Sequence, residues 1–156
     1  MGYTHSWRYG EAFPSKEEYI NVLMDIEIAM RDMPSKSRTA GGNYDDPIVL
    51  RGGLGEGEPV FSMDEIWFNG DVKTGLDHET FHFQFGKKSS DFCKTARKPY
   101  DFMVCIVLLS LANRMTGFTY STDGDLEDWQ PAIDFYRTNI GSLKPSVLHR
   151  FEKVEH

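Results

Sequence analysis

Residues 3–9, Tyr-Thr-His-Ser-Trp-Arg-Tyr, alternate strictly, with Tyr3, His5, Trp7 and Tyr9 in one phase and Thr4, Ser6 and Arg8 in the other. A period of two with aromatic residues in one phase predicts a strand with one buried face. The period then changes. Ser15 and Glu18 have capping-box spacing, and Tyr19, Val22, Leu23, Ile26, Met30 and Met33 recur at helical steps. A helix is predicted from Ser15 until Pro34 stops it. Residues 34–58 carry six Gly and two Pro. So long a connection in a compact domain is usually functional or disordered. Within it Ile48–Leu50 reads as a brief strand. "GGLGEGE" lacks the Gly-Lys-Ser/Thr of a phosphate loop and reads as tight turns that need positive φ.

"EIWFNGD" (65–71) predicts a strand closed by an Asn-Gly turn, and residues 79–85 alternate again, Phe81, Phe83 and Phe85 against Thr80, His82 and Gln84. The stretch 87–98 reads as a basic loop. Pro99 suits a helix start, and Tyr100–Met115 is apolar on nearly every side, which predicts a central buried helix ended by Gly117. "FTYST" (118–122) predicts a strand and "DGD" (123–125) a turn. Pro131 is compatible with a last helix that starts at Asp128 as cap, where a missing N–H costs nothing. The segment from Ser142 shows no clear period. The order β-α-loop-β-β-α-β-α predicts a single α+β domain over residues 1–156, with a mainly antiparallel sheet of four or five strands packed with about three helices.

Composition and charge narrow the function. The chain has 156 residues, 40% hydrophobic and 26% charged, with a formal charge of −7. That balance argues against broad nucleic-acid binding and against an anionic membrane surface. Two cysteines, Cys93 and Cys105, are too few for a disulfide-stapled secreted domain. The opening residues show no signal peptide, and the longest apolar run, Phe102–Ala112, is too short to span a bilayer. A cytoplasmic protein is expected, with no cofactor. The sequence leaves a homo-oligomer open.

Residues 78–82 spell His-Glu-x-x-His, the zinc-hydrolase signature. It requires a helix: two His one turn apart, ~6 Å between Cβ atoms, share an ion, whereas on a strand they stand roughly 13 Å apart. The alternation over 79–85 predicts the strand, so no metal ligand is assigned.

The local charge inverts between Lys87 and Lys98, where Lys87, Lys88, Lys94, Arg97 and Lys98 face one acid, Asp91. This cluster leads into the N-terminus of the buried helix, where unpaired N–H groups and the helix dipole favour an anion. Arg97 would hold a phosphate bidentately, with Lys94, Thr95 and Tyr100 beside it. The alternative is a basic loop pairing with the acidic stretch 123–134. Tyr3, His5 and Trp7 share one strand face and would stack on a planar ring, or else form core. Asn69 ends its strand where it would bond a base or ribose, and His78 precedes the aromatic strand. Asp123 and Asp125 would take ribose hydroxyls. No catalytic residue is assigned.

"MGYTHSW", "GEGEP" (55–59), "FNG" (68–70), "HETF" (78–81), "FCKTARKPYD" (92–101) and "STDGD" together resemble a family of small proteins of phages and bacteria. That family opens Gly-Tyr-Thr-His-Tyr-Trp; Ser6 departs from it here. The resemblance implies an intracellular protein, in the host cytoplasm if phage-encoded, and brings no activity with it. Three functions are compatible with the sequence. The first is non-catalytic binding or sequestration of a small anionic, nucleotide-derived ligand, which in a phage would counter host nucleotide signalling. The second is a hydrolase of a phosphate-containing small molecule, using His78 and Glu79 with Asp123 or Asp125. The third is a protein-binding inhibitor that uses its acidic surface.

Overall fold

In the computed structural model, residues 3–11, 13–36 and 46–151 are described. Much of the Gly-rich segment, 37–45, lies outside them, as do Met1 and Gly2 of the opening motif. In chain order the elements are strand β1 (Thr4–Tyr9), helix α1 (Lys16–Asp32), strands β2 (Val60–Phe61), β3 (Glu65–Phe68), β4 (Phe81–Gln84) and β5 (Ser89–Lys94), helix α2 (Asp101–Arg114), strand β6 (Phe118–Thr122), helices α3 (Leu126–Asn139) and α4 (Pro145–Leu148), and a closing 3-10 turn. The α+β class holds. The single predicted sheet is instead two three-stranded antiparallel sheets, ordered β5-β1-β6 and β2-β3-β4.

Strand β1 is the middle strand of the first sheet. His5 lies opposite Cys93 on β5 and Thr122 on β6, and Tyr9 opposite Ser89 and Phe118. The inner phase of β1 meets the second sheet through aromatic rings: Trp7 lies 4.7 Å from Phe81 and Tyr9 5.7 Å from Phe83, centroid to centroid. Such pairs add ~0.5–1.5 kcal/mol beyond the area they bury.

Helix α2 is the hub. Every residue from Asp101 through Leu111 is buried, so the helix has no polar face to turn outward. It must be covered on all sides, and α1, α3, α4 and β6 all pack on it. A buried carboxylate ties the helices together near the C-terminal end of α2. Asp25 of α1 accepts hydrogen bonds from Arg114 (2.9 and 3.0 Å), Ser110 (2.7 Å) and Tyr136 of α3 (2.7 Å). The charge is thus paired and its remaining lone pairs are used, the condition for burying a carboxylate without a large penalty.

The structure corrects several local expectations. The basic stretch after Lys88 is not a loop but strand β5, because Ser89–Lys94 has a partner in β1 that a reading of charge alone does not supply. Ile48–Leu50 forms no strand; among the described residues, isolated bridges from Lys36 to Pro47 and from Arg51 to Asn69 occur near it. The Asn69-Gly70 pair is not a hairpin turn, since β4 begins only at Phe81. Helix α3 starts earlier than Asp128. Asp125 is its cap and forms a reciprocal capping box with Asp128, which leaves Pro131 inside the helix rather than in its first turn. The box satisfies two end amides, offsetting the bond that Pro131 removes. At α1, Ser15 caps Glu18 N as expected, but the Glu18 carboxylate reaches Thr116 instead of closing a box. Gly55 and Gly57 do adopt positive φ, 79° and 71°, as the turn reading requires. Gly53 has a second constraint: a Cβ there would overlap the Trp67 ring.

Leu108 is fully buried at the centre of α2. Leu108→Ala is expected to cost about 2–5 kcal/mol in urea unfolding. A loss below about half a kcal/mol would contradict the packing described.

Candidate functional site

Six of the residues singled out from sequence meet at one end of the first sheet, where β1 begins and β5 and β6 end: Tyr3, His5, Lys94, Thr95, Arg97 and Asp123. His5 is wholly buried there, with both ring nitrogens engaged. Nε2 lies 2.6 Å from Asp101 Oδ1 and Nδ1 2.8 Å from Thr122 Oγ1. Thr122 Oγ1 already accepts from Gly124 N (2.9 Å) and Trp129 Nε1 (3.2 Å), so its own hydrogen goes to His5 Nδ1. That leaves Nε2–H to donate to Asp101. Asp101 also accepts from Thr95 Oγ1 (2.6 Å) and from the Cys105 thiol (3.6 Å). The result is a closed lock between β1, the end of β5, the start of α2 and β6.

His5, Asp101 and Cys105 are also the group of metal-ligand type that converges among the described residues. The donor types suit zinc, but the spacing does not. Two ligands at ~2.0–2.1 Å from one zinc at tetrahedral angles stand roughly 3.3 Å apart, and the 2.6 Å between His5 and Asp101 is a hydrogen bond. The His-Glu-x-x-His residues do not share an ion-binding face either. Residues 81–84 are strand, His82 Nε2 pairs with Glu65 (2.8 Å), and His78 Nδ1 donates to the Lys94 carbonyl (2.7 Å).

Arg97 sits in a strained turn. Ala96 and Arg97 both have left-handed φ, 53° and 54°, a conformation that costs non-glycine residues on the order of 1–3 kcal/mol each. The turn lays the guanidinium over the Tyr3 ring, 4.1 Å from its centroid, and aims its fork at Asp128 (3.2 and 3.3 Å). The Asp128 hydrogen bonds hold the Arg97 pKa above its ordinary value. The first amides of α2 are occupied too: Asp101 N bonds Lys98 O (2.8 Å), Phe102 N bonds Pro99 O (3.2 Å) and Met103 N bonds Tyr100 O (3.0 Å). A phosphate at this point would compete with Asp128 and would find the amides of Asp101, Phe102 and Met103 already bonded. The geometry is the internal pairing of the basic segment with the acidic stretch 123–134.

The remaining sequence candidates also hold backbone. Buried Asn69 clamps the 69–78 connection, its Oδ1 accepting from Gly70 N (2.7 Å) and His78 N (3.1 Å) and its Nδ2 donating to His78 O (2.9 Å). Tyr100 donates to Glu79 O. Asp123 accepts from Thr4 N (3.1 Å). Asp125 caps α3. Gly124 leaves room for Tyr3, whose hydroxyl would lie 2.4 Å from a Cβ there. Tyr3, His5 and Trp7 all point into the core. Cys93 is fully buried and donates to Glu79 O (3.3 Å), and burial pushes its thiol pKa up, the reverse of an activated nucleophile.

The face of this sheet that is open to solvent is the other one, which sequence reasoning left out. On it stand Thr4, Ser6 and Arg8 of β1, with Lys94, Phe92 and Ser90 of β5 opposite them and Ser121 and Thr119 of β6 on the far side. An open depression of about 590 Å³ lies on this face, lined in part by Ser6, Arg8, Ser90, Phe92, Thr119 and Ser121. The signal was present as Ser90-x-Phe92-x-Lys94, a period of two hidden by reading 87–98 as loop. No protein-family model matches the chain, and no curated protein or solved structure matches it either. The fold and its open face therefore carry the functional argument.

Two outcomes test this geometry. Arg97→Ala is expected to destabilise the ligand-free protein by about 1 kcal/mol, since the pair is partly exposed, lowering the melting temperature by roughly 2–4 °C. Arg97→Lys should recover only part, for lack of the planar fork; unchanged melting in both variants would remove Arg97 from the fold's support. Burial raises the pKa of Tyr3, Tyr100, Cys93 and Cys105, so the folded state keeps protons that the unfolded state releases. The stabilisation they contribute is complete below the unfolded thiol pKa of ~8.5 and is lost as pH rises past it and past the phenol value of ~10. Melting curves from pH 7 to 10.5 should show a steady alkaline decline, and a flat profile would contradict it.

Proposed function

We propose that the protein binds, without turning it over, a small anionic ligand derived from a nucleotide, and that it does so on the open face of the β5-β1-β6 sheet. The observation that carries this is the row structure of that face. Phe92, 54% exposed, occupies the middle row with the hydroxyls of Ser6 and Ser121 beside it. Arg8 lies one row to one side and Lys94 one row to the other, each ~7 Å away at strand spacing. Lys94 Nζ already lies 5.9 Å from the Phe92 ring centroid. A base stacked on Phe92 thus has a cation within a phosphate's reach on either side, and beside it the Ser6 and Ser121 hydroxyls, which bond each other at 2.6 Å and keep lone pairs for ribose. Stacking of this kind contributes ~1–3 kcal/mol per base.

Two observations support binding over catalysis. The lining holds one acid, Asp91, whose Oδ1 accepts from Phe92 N (2.8 Å), and no histidine, cysteine or glutamate. The groups of the hydrolase reading are committed elsewhere: Glu79 Oε1 accepts from Lys94 N (2.8 Å), and His78, Asp123 and Asp125 bond backbone groups as described above. The net charge of −7 favours a small ligand over a long polynucleotide. The resemblance to phage and bacterial proteins extends the proposal: in a phage, such a binder sequesters a host signalling nucleotide.

Titration calorimetry with ATP, GTP and a cyclic dinucleotide, together with mass spectrometry of small molecules released on denaturation, tests the proposal. At least one nucleotide should bind, and Phe92→Ala should weaken it by at least about tenfold, ~1.4 kcal/mol, with little change in melting because the ring is exposed. Arg8→Ala should act in the same direction. Absence of any nucleotide, bound or released, or an affinity indifferent to Phe92, would overturn it.

A further inference from the structure

Helix α1 has two apolar faces. Tyr19, Val22, Ile26 and Ala29 are buried against the rest of the molecule. The second face is only about half covered by the fold: Ile20 is 42% exposed, Met24 56% and Met30 38%. Together with Leu23, Phe61 and Met63 these residues line a groove of about 430 Å³ along the helix. Ile20, Leu23, Met24 and Met30 follow the spacing by which a helix presents one stripe. Three of the lining residues are methionines, whose unbranched, polarizable side chains adapt to an incoming apolar surface.

Charge decides what can enter. Glu27 lies in the groove lining, and Glu17 and Asp64 are exposed beside Ile20 and Met63 in the chain. The cation at the far end, Arg31, is shared between Asp32, at 3.0 Å, and Glu27 one turn before it. With Lys16 at the other end, the four acids Glu17, Glu27, Asp32 and Asp64 still outnumber these two cations. A second copy of the chain would bring the same acids onto this rim, within a molecule whose formal charge is already −7. A basic partner meets the opposite condition, since complementary charge speeds and orients docking while like charge is rejected. The shape and period match an amphipathic helix laid in a groove.

We propose that this groove is a docking site for a basic amphipathic helix of a partner protein. The proposal stands apart from the sheet face and does not depend on nucleotide binding. Fluorescence anisotropy tests it with a labelled amphipathic Leu/Lys helical peptide of about 18 residues, a length that can hold a helix, and a Leu/Glu peptide of the same length as comparison. The Leu/Lys peptide should bind saturably and the Leu/Glu peptide should not. Met24→Lys and Glu27→Lys, both at exposed positions, should each weaken binding at least about tenfold. Leu54→Lys makes the same kind of change at another exposed apolar residue and should leave affinity within about twofold. Four results would overturn the proposal: no saturable binding, equal binding of the Leu/Glu peptide, equal loss in Leu54→Lys, or self-association in sedimentation equilibrium that Met24→Lys abolishes. The last would make the groove an interface between copies of this chain.

Discussion

A helix that is apolar all the way round cannot lie at a surface, and α2 is such a helix. Its burial sets the rest of the molecule. Eleven successive residues, Asp101 through Leu111, are buried in it, so α1, α3 and the inner faces of the strands are arranged around it. Burial of this kind is favourable but unspecific in direction. What fixes the orientation of α2 is a carboxylate at each end. Asp101 joins its N-terminal end to His5 of β1 and to Thr95, and Asp25 joins its C-terminal end to α1 and α3 through Arg114, Ser110 and Tyr136. Both carboxylates are buried, Asp101 accepting three hydrogen bonds and Asp25 four. Removing a partner from either would leave an unsatisfied charge in the core, which is far more costly than losing one exposed bond.

The same logic accounts for the strained turn at Ala96 and Arg97. The chain must leave β5, surrender Thr95 to Asp101 and enter α2 within a few residues. Two left-handed residues make that turn possible, and Arg97 stabilises it by lying on Tyr3 and pairing with Asp128. The Thr-Ala-Arg-Lys-Pro segment, where the sequence concentrates its positive charge, thereby serves as the fixed connection between sheet and helix. Its charges are partly neutralised from within.

The proposed function uses a surface that this arrangement leaves uncovered. One side of β1 supplies His5, Trp7 and Tyr9 to the core, and the alternation that sends them inward sends Thr4, Ser6 and Arg8 out. Antiparallel pairing then aligns Phe92 and Lys94 with those outward positions. No single segment carries the proposed site. It is a row-by-row product of register, which is why its residues come from positions 4–8, 90–94 and 119–121.

Much of the fold was legible in the chain itself. The period of two placed β1 and β4, capping by Ser15 began α1, the apolar run interrupted by Ser110 gave a buried α2, and the alternation around His82 turned the His-Glu-x-x-His signature into a strand. Local order suffices wherever one segment's own side chains decide its conformation. It failed where a distant partner decides. Ser89–Lys94 reads as a basic loop until β1 is there to pair with it. Asp128 looks like a cap until Asp125 is seen to hold its amide. Arg97 looks free for an anion until α3 brings Asp128 to it. Asn69 and His78 look like ligand groups until their backbone partners appear. Charge and hydrogen-bonding capacity are properties of the sequence, but whether they remain available is settled only by what the fold packs beside them.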